Sequence, residues 1–166
     1  MALTTNIIRT WRGPRRVMEG FLTDVPSEAR AFGFLVVGCF LVFVAQWPRL
    51  SRRVAGFEAV PTDEPPVMEQ LVAYEFLSWM VVWPLFMFLI AAIIHAVGRA
   101  LKRSMTPYQV RLSLFWSFLA ASPLLMLHGL MAGFFGYGSE TTIVGAAWLA
   151  GFSWILAGSL KATGQE

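Results

Sequence analysis

Four apolar runs in the chain are each long enough, or nearly long enough, to cross the hydrocarbon layer of a membrane as a helix. They cover residues 31–47, 71–97, 112–135 and 142–160. Hydrophobic residues make up 57% of the chain and charged residues 14%, whereas soluble domains average about 45–50% and about 25%. A soluble domain could not hide so much apolar surface from water. The sequence therefore predicts an all-α integral membrane protein with about four transmembrane helices.

The gaps between these runs divide the chain into a basic N-terminal segment (1–30), a transmembrane bundle (31–160) and a short tail (161–166). The Trp47–Pro48 step predicts the end of the first span, since proline disfavours helix at the residue before it. Residues 48–70 are rich in proline and acidic side chains. This composition predicts a loop without regular structure.

Lysine and arginine are unevenly distributed between the two sides of such a bundle. Of the 13 in the chain, the N-terminal segment, the basic loop at 98–111 and the tail together hold all but Arg49, Arg52 and Arg53. Because cytoplasmic loops carry the excess of basic residues, four spans place both termini in the cytoplasm. The three arginines after Trp47 then lie on the side where the rule expects few.

The N-terminal segment has an amphipathic pattern. Apolar side chains recur at helical spacing on one face, namely Leu3, Ile7, Trp11, Met18, Phe21 and Leu22, and Arg9, Arg12 and Arg16 fall on the other. This pattern is typical of a helix lying in the membrane interface, with Trp11 and these arginines as its anchors. Gly13–Pro14 predicts a break into two helices, with Pro14 starting the second. The alternative is a basic flank that only fixes orientation.

Small residues in the last two spans predict close helix contacts. Gly129 and Gly133 form a G-x-x-x-G spacing in the third span, and Ala147 and Gly151 form a similar spacing in the fourth. Such faces allow helices to approach closely in lipid. The sequence leaves open whether this face packs within the chain or docks against a partner.

Two polar side chains inside the apolar runs are candidates for a buried interaction. Glu75 lies near the start of the second run and His128 in the second half of the third. In the four-span arrangement both lie towards the outer leaflet, so they form a possible intramembrane polar pair. A bond from His128 to a carbonyl freed by Pro123, or a ligand or proton role for His128, is the alternative.

The chemistry-bearing motifs of enzymes are absent from the sequence. It contains no G-x-x-x-x-G-K, G-x-S-x-G, H-E-x-x-H or G-x-G-x-x-G pattern. Its two histidines and Cys39 lie in different apolar runs, and a metal site needs several ligands that converge at one place. The basic residues lie between apolar runs and form no aromatic-interleaved patch of the kind that binds nucleic acid. We therefore expect no enzymatic activity, cofactor, metal or nucleic-acid partner.

Five short stretches are distinctive, at residues 11–18, 26–31, 44–50, 111–116 and 122–124. Together they resemble the bacterial branch of the Yip (Ypt-interacting protein) family, in the form carried by alphaproteobacteria. The resemblance implies a small multi-pass protein of the bacterial inner (cytoplasmic) membrane. In eukaryotes this family implies binding of small GTPases in the early secretory pathway. The Asp-Leu-Tyr-Gly-Pro motif of the eukaryotic proteins is missing from this sequence, which has four predicted spans where those proteins usually have five. A small GTPase is therefore not expected as a partner.

These observations together predict a non-enzymatic protein that acts by contact. We expect it to organise membrane lipid or to dock as an accessory subunit on a larger membrane complex. A small transporter or channel-like protein is the alternative. Broken helices and mid-membrane polar groups are typical of transporters, and Pro84, Pro123 and His128 give a weak version of that pattern.

Overall fold

The computed structural model describes residues 3–57 and 67–163. Within these ranges the chain forms eight α-helices and one π-helical turn, and no strand. The elements are α1 (Leu3–Arg12), α2 (Pro14–Leu22), α3 (Glu28–Ala45), α4 (Trp47–Val54), α5 (Met68–Leu77), the π-helical turn (Ser78–Val82), α6 (Trp83–Ala100), α7 (Pro107–Phe135) and α8 (Ser139–Thr163).

The structure confirms the predicted fold class. Four helical stretches of the described residues are long and apolar enough to cross a membrane: Glu28–Val54, Met68–Ala100, Pro107–Phe135 and Ser139–Thr163. Each is longer than the apolar run that predicted it, and at the starts of α3 and α7 a polar capping residue sets the end. At the start of α7, Thr106 Oγ1 accepts the Gln109 N–H (3.2 Å) and Gln109 Oε1 accepts the Thr106 N–H (2.8 Å). This capping box starts the helix at Pro107, ahead of the apolar run.

The segment after the first span corrects the sequence prediction. Residues 48–70 were expected to lack regular structure, but α4 (Trp47–Val54) follows α3 directly and α5 begins at Met68. Pro48 does not end the helical path, because it lies in the first turn of α4, where a missing backbone N–H costs little. The central part of the predicted loop, 58–66, lies outside the described residues.

The second span is irregular next to a proline. The π-helical turn (Ser78–Val82) comes directly before α6, and Pro84 lies in the first turn of α6. Proline has no backbone N–H to donate, and its ring crowds the carbonyl four residues earlier in the helix. A π-helical turn is one way for a helix to accommodate this disturbance. Pro123, in contrast, lies inside α7, which continues unbroken from Pro107 to Phe135.

Helix α7 is the centre of the bundle. Every side chain from Leu112 to Ser122 is buried, and the helix packs against α1, α3, α4, α6 and α8. α3 runs parallel to it, since Glu28 pairs with Arg111 near the start of both helices and Ala45 meets Gly129 near the end of α3. The bundle thus has a proximal end, where α3 and α7 begin and α6 and α8 end. Its distal end holds α4 and the turn from α7 to α8.

Candidate functional site at the N-terminal helices

The N-terminal segment is two helices with a sharp break, as the sequence predicted. Gly13 separates them with φ −167° and ψ 80°, and its N–H donates to the Arg9 carbonyl (3.0 Å). Pro14 starts α2, where its fixed φ suits the first helical turn. The break changes the direction of the chain, so α2 presents its side chains at a different angle from α1.

The apolar side of α1 and α2 packs on the bundle, although the amphipathic pattern alone predicted contact with lipid. Trp11 Nε1 donates to the Ala120 carbonyl (3.0 Å), and its ring lies against Gly151 of α8. Trp116 Nε1 in turn donates to Thr10 Oγ1 (3.1 Å), where both residues are fully buried. A buried indole N–H needs such a partner. These bonds attach α1 to the first half of α7.

Aromatic contacts hold α2 in the same way. The Phe21 and Phe34 rings each meet the Trp116 ring edge-on, with centroids 4.8 Å and 4.9 Å away. Met18 is fully buried, and Pro14 lies against Gly158 of α8. The N-terminal helices are therefore fixed to the proximal half of the bundle.

Their polar side lines a half-open cavity at the proximal end, which we call the basic cavity. It has a volume of about 1110 Å³, slightly above the usual range of ligand pockets. Five arginines and two carboxylates lie in its wall: Arg9, Arg12, Arg15, Arg16, Arg30, Glu19 and Asp24.

Both carboxylates of the basic cavity are already paired. Glu19 Oε1 accepts from Arg15 Nε (2.7 Å), and Asp24 Oδ2 accepts from Arg30 Nη1 (2.7 Å). Arg30 Nη2 also donates to the Phe21 carbonyl (3.0 Å) and to Tyr108 Oη (3.1 Å). Arg30 Nε is buried and has no acceptor among the described residues. With two arginines so neutralised, the wall keeps an excess of positive charge.

The predicted anchors are brought together here, along with two arginines that the pattern did not identify. Trp11 is buried in part against the bundle, and Arg9, Arg12 and Arg16 all line the basic cavity. Arg15 and Arg30 line it as well. A single helical wheel drawn through residues 3–22 does not group Arg15 with the other arginines, because the break at Gly13 gives α2 a new orientation. Arg30 belongs to α3, so only the tertiary packing places it in this wall.

The predicted small-residue face divides into contacts within the chain and one exposed position. A β-carbon on Gly129 would collide with the Ala45 carbonyl, and one on Gly133 with Pro48. Gly151 lies under the Trp11 ring, whereas Ala147 is exposed. Three of the four residues therefore serve packing inside the described chain.

At the distal end, Glu75 pairs with Arg49 and not with His128. Arg49 Nη1 lies 3.7 Å from Glu75 Oε1, and Trp79 Nε1 donates to Glu75 Oε2 (3.2 Å). The His128 ring lies beside Gly145 of α8. No hydrogen bond or ion pair joins Glu75 directly to His128 in the part of the chain that is described. The sequence did not identify Arg49 as the partner of Glu75.

The distal arginines that disagreed with the charge rule have structural partners. Arg52 Nη1 donates to the Phe134 carbonyl (3.2 Å) in the last turn of α7, where a cation stabilises the helix terminus. The Arg52 guanidinium also lies over the Phe57 ring, and the Arg49 guanidinium over the Tyr137 ring. These charges are thus used inside the fold, which explains their presence on this side.

The geometry defines the class of protein. It is a multi-pass helical membrane protein whose amphipathic N-terminal helices are docked on the bundle and bear a cationic cavity. Among residues 3–57 and 67–163, no cluster of three or more His, Cys, Asp or Glu side chains could hold a metal ion. Comparison of the chain with protein-family models, with curated proteins and with solved structures gave no match.

Proposed function

We propose that the chain is a non-enzymatic protein of the bacterial inner membrane that acts by contact, organising anionic lipid at the cytoplasmic leaflet. Both termini lie in the cytoplasm in this proposal, so the proximal end faces that leaflet. The resemblance to the bacterial Yip branch belongs to the same proposal. The GTPase-binding role of the eukaryotic family does not.

The observation that carries the proposal is the position of the N-terminal arginines. Trp11 and Thr10 fix α1 to α7, so the arginines of the basic cavity are held at one end of the membrane-spanning helices. Cationic groups near a membrane surface attract anionic lipid, with about 1 kcal/mol for each lysine or arginine. A fixed cluster concentrates that attraction at one place on the protein.

The outer surface of the bundle supports contact with lipid or with another membrane protein. In the most apolar 18-residue stretch of Met68–Ala100, only 17% of the residues are buried within the chain. In the corresponding stretch of Ser139–Thr163, only 11% are buried. Large side chains such as Leu85, Phe134 and Trp154 are more than 60% exposed. Surfaces of this kind suit acyl chains, and they also suit docking as an accessory subunit on a larger complex.

A transporter is the second candidate, and one observation favours it. The π-helical turn (Ser78–Val82) interrupts the second span one turn after Glu75, which pairs with Arg49. Interrupted helices beside ionisable groups are found at transport sites. In this chain, however, the Glu75 carboxylate is already held by Arg49 and Trp79.

Reconstitution of the full chain into vesicles tests the proposal. Vesicles would contain phosphatidylcholine with a minority of phosphatidylglycerol, part of which carries a self-quenching fluorophore. We expect the protein to increase quenching of labelled phosphatidylglycerol, because the basic cavity gathers anionic headgroups. Labelled phosphatidylcholine in matched vesicles is the control, and its quenching should not change.

The same vesicles separate the two candidate functions. Release of entrapped ions and small solutes should equal that of protein-free vesicles. Solute flux that depends on the protein and disappears in Glu75→Gln would overturn the contact role and establish the transporter. Unchanged quenching of both labelled lipids would also contradict lipid organisation.

A further inference from the structure

We propose that the basic cavity is a discrete binding site for one phosphate-bearing anion, and that this anion is the headgroup of an anionic phospholipid. The inference rests on the proposed function, because it names the lipid group that the N-terminal helices recognise. It goes further in requiring a saturable site with a defined stoichiometry. A diffuse basic surface would show neither property.

The walls of the basic cavity are fixed before any ligand arrives. α1 is tied to α7 by the Trp11 and Thr10 bonds, and α2 is held by Phe21 against Trp116. On the third side Arg30 is held by Asp24, the Phe21 carbonyl and Tyr108. Because the helices and Arg30 are held in place, the cost of ordering on binding is confined to exposed side chains such as Arg12 and Arg16.

The charges of the basic cavity match a phosphate monoanion or dianion. Five arginines face two carboxylates, and both carboxylates are occupied by Arg15 and Arg30. Arg12 and Arg16 are exposed side chains on the two sides of the Gly13 break. The planar guanidinium group binds phosphate oxygens in a bidentate manner. Gly13 and Arg15, on either side of the first residue of α2, lie in the same wall, so the dipole of α2 adds to the positive potential.

A lipid headgroup fits this position better than a free phosphate. The basic cavity is built on membrane-spanning helices, and its wall also contains the apolar side chains Val17 and Phe21. Ile8, which precedes the cavity-lining Arg9 in α1, is 62% exposed and offers further apolar surface on the same helix. A ligand with a phosphate group and attached acyl chains would satisfy both the arginines and these apolar surfaces.

Calorimetric titration of the full chain in detergent micelles tests the site. The test ligand is dioctanoyl phosphatidylglycerol. The two comparison ligands are dioctanoyl phosphatidylcholine, which is zwitterionic, and inorganic phosphate, which has no acyl chains. We expect phosphatidylglycerol to bind with a stoichiometry of one and the other two to bind at least tenfold more weakly. Phosphate binding as tight as phosphatidylglycerol would overturn the lipid assignment and show a site for a soluble phosphate.

Two double variants with the same loss of charge give the matched comparison. Arg12→Gln with Arg16→Gln should weaken phosphatidylglycerol binding about thirtyfold, since each basic group contributes about fivefold. Arg99→Gln with Arg103→Gln removes two exposed arginines outside the cavity wall, and it should change affinity by less than about twofold. Arg12→Lys with Arg16→Lys keeps the charge and checks that any loss does not come from misfolding.

The outcomes distinguish this site from the proposed function. Equal weakening by both glutamine pairs, or binding that never saturates, would overturn the discrete site and leave lipid organisation by general charge. Saturable binding that depends on Arg12 and Arg16, without clustering of labelled lipid in vesicles, would support the site and contradict the proposed function.

Discussion

Gly133 and Gly129 set the distance between α7 and the helices beside it. Each faces backbone atoms rather than a flexible side chain: Gly133 meets Pro48 and the Arg49 nitrogen, and Gly129 meets the Ala45 carbonyl. Backbone cannot move aside as a side-chain tip can, so any added carbon must push the helices apart. In lipid, where association depends on close packing, that separation has a direct cost.

Gly133→Ala should therefore lower the free energy of unfolding by about 1–3 kcal/mol, as overpacking does in cores. Gly33→Ala is the matched control, because Gly33 also lies in a spanning helix but has no atom within 4 Å of an added β-carbon. The control should be neutral or stabilising by about 0.5–1 kcal/mol, since alanine favours helix. Thermal unfolding in detergent micelles, followed by circular dichroism, measures both. Equal stability of the two variants would show that α7 and α4 are not in close contact.

Helix α4 is the element that departs most from the sequence prediction. It carries three arginines, yet it packs against α5 and α7 at the distal end. Its charge is compensated locally, because Arg49 pairs with Glu75 and Arg52 donates to the Phe134 carbonyl. The pair is mostly buried, with side-chain exposures of 22% for Arg49 and 20% for Glu75. Removing one member of such a pair leaves the other without a countercharge.

Arg49→Met should consequently destabilise the protein by about 1–3 kcal/mol, the cost of a buried polar group that has lost its partner. Glu75→Gln should restore much of that loss in the double variant, because it removes the isolated charge and keeps an oxygen that accepts from Trp79. A double-mutant cycle on thermal stability in detergent measures the coupling. Strictly additive effects of the two substitutions would contradict the ion pair.

At the scale of the whole molecule, α7 joins the two polar regions. The N-terminal helices are attached along its first half through Trp116 and Ala120, and α4 packs along its second half. The proximal end carries ten of the thirteen lysines and arginines. The three at the distal end include two with bonds inside the fold. Basic residues are thus concentrated at the proximal end, where Arg30 and Arg111 also form ion pairs inside the fold.

This uneven distribution of basic residues predicts the topology. Reporters fused after Glu166 and inserted within 56–66 should give cytoplasmic and external signals respectively, because the proximal basic residues stay on the cytoplasmic side. Charge removal supplies a further check. Arg52→Gln should leave the orientation unchanged, since Arg52 caps α7, although it should reduce stability. An external signal from the reporter after Glu166 would contradict both the four-span topology and the cytoplasmic position of the basic cavity.

Sequence alone determined the class of fold and the break at Gly13–Pro14. Both depend on local properties: how much apolar surface each run carries, and where the backbone cannot continue a helix. The same local reasoning failed at α4, where proline in a first turn and three arginines gave the pattern of a loop. It also assigned the amphipathic face of α1 and α2 to lipid, because a hydrophobic face does not specify whether lipid or protein will cover it.

Only the tertiary structure decided which groups meet. Thr10 and Trp116 lie 106 positions apart in the chain, and Trp11 and Ala120 lie 109 apart. Arg30 completes the wall of a cavity whose other arginines belong to α1 and α2. Glu75 pairs with Arg49 because α4 and α5 are neighbours at the distal end. Helix periodicity gives the face on which a side chain lies, but neighbouring helices are chosen by close packing and polar pairing across the whole bundle.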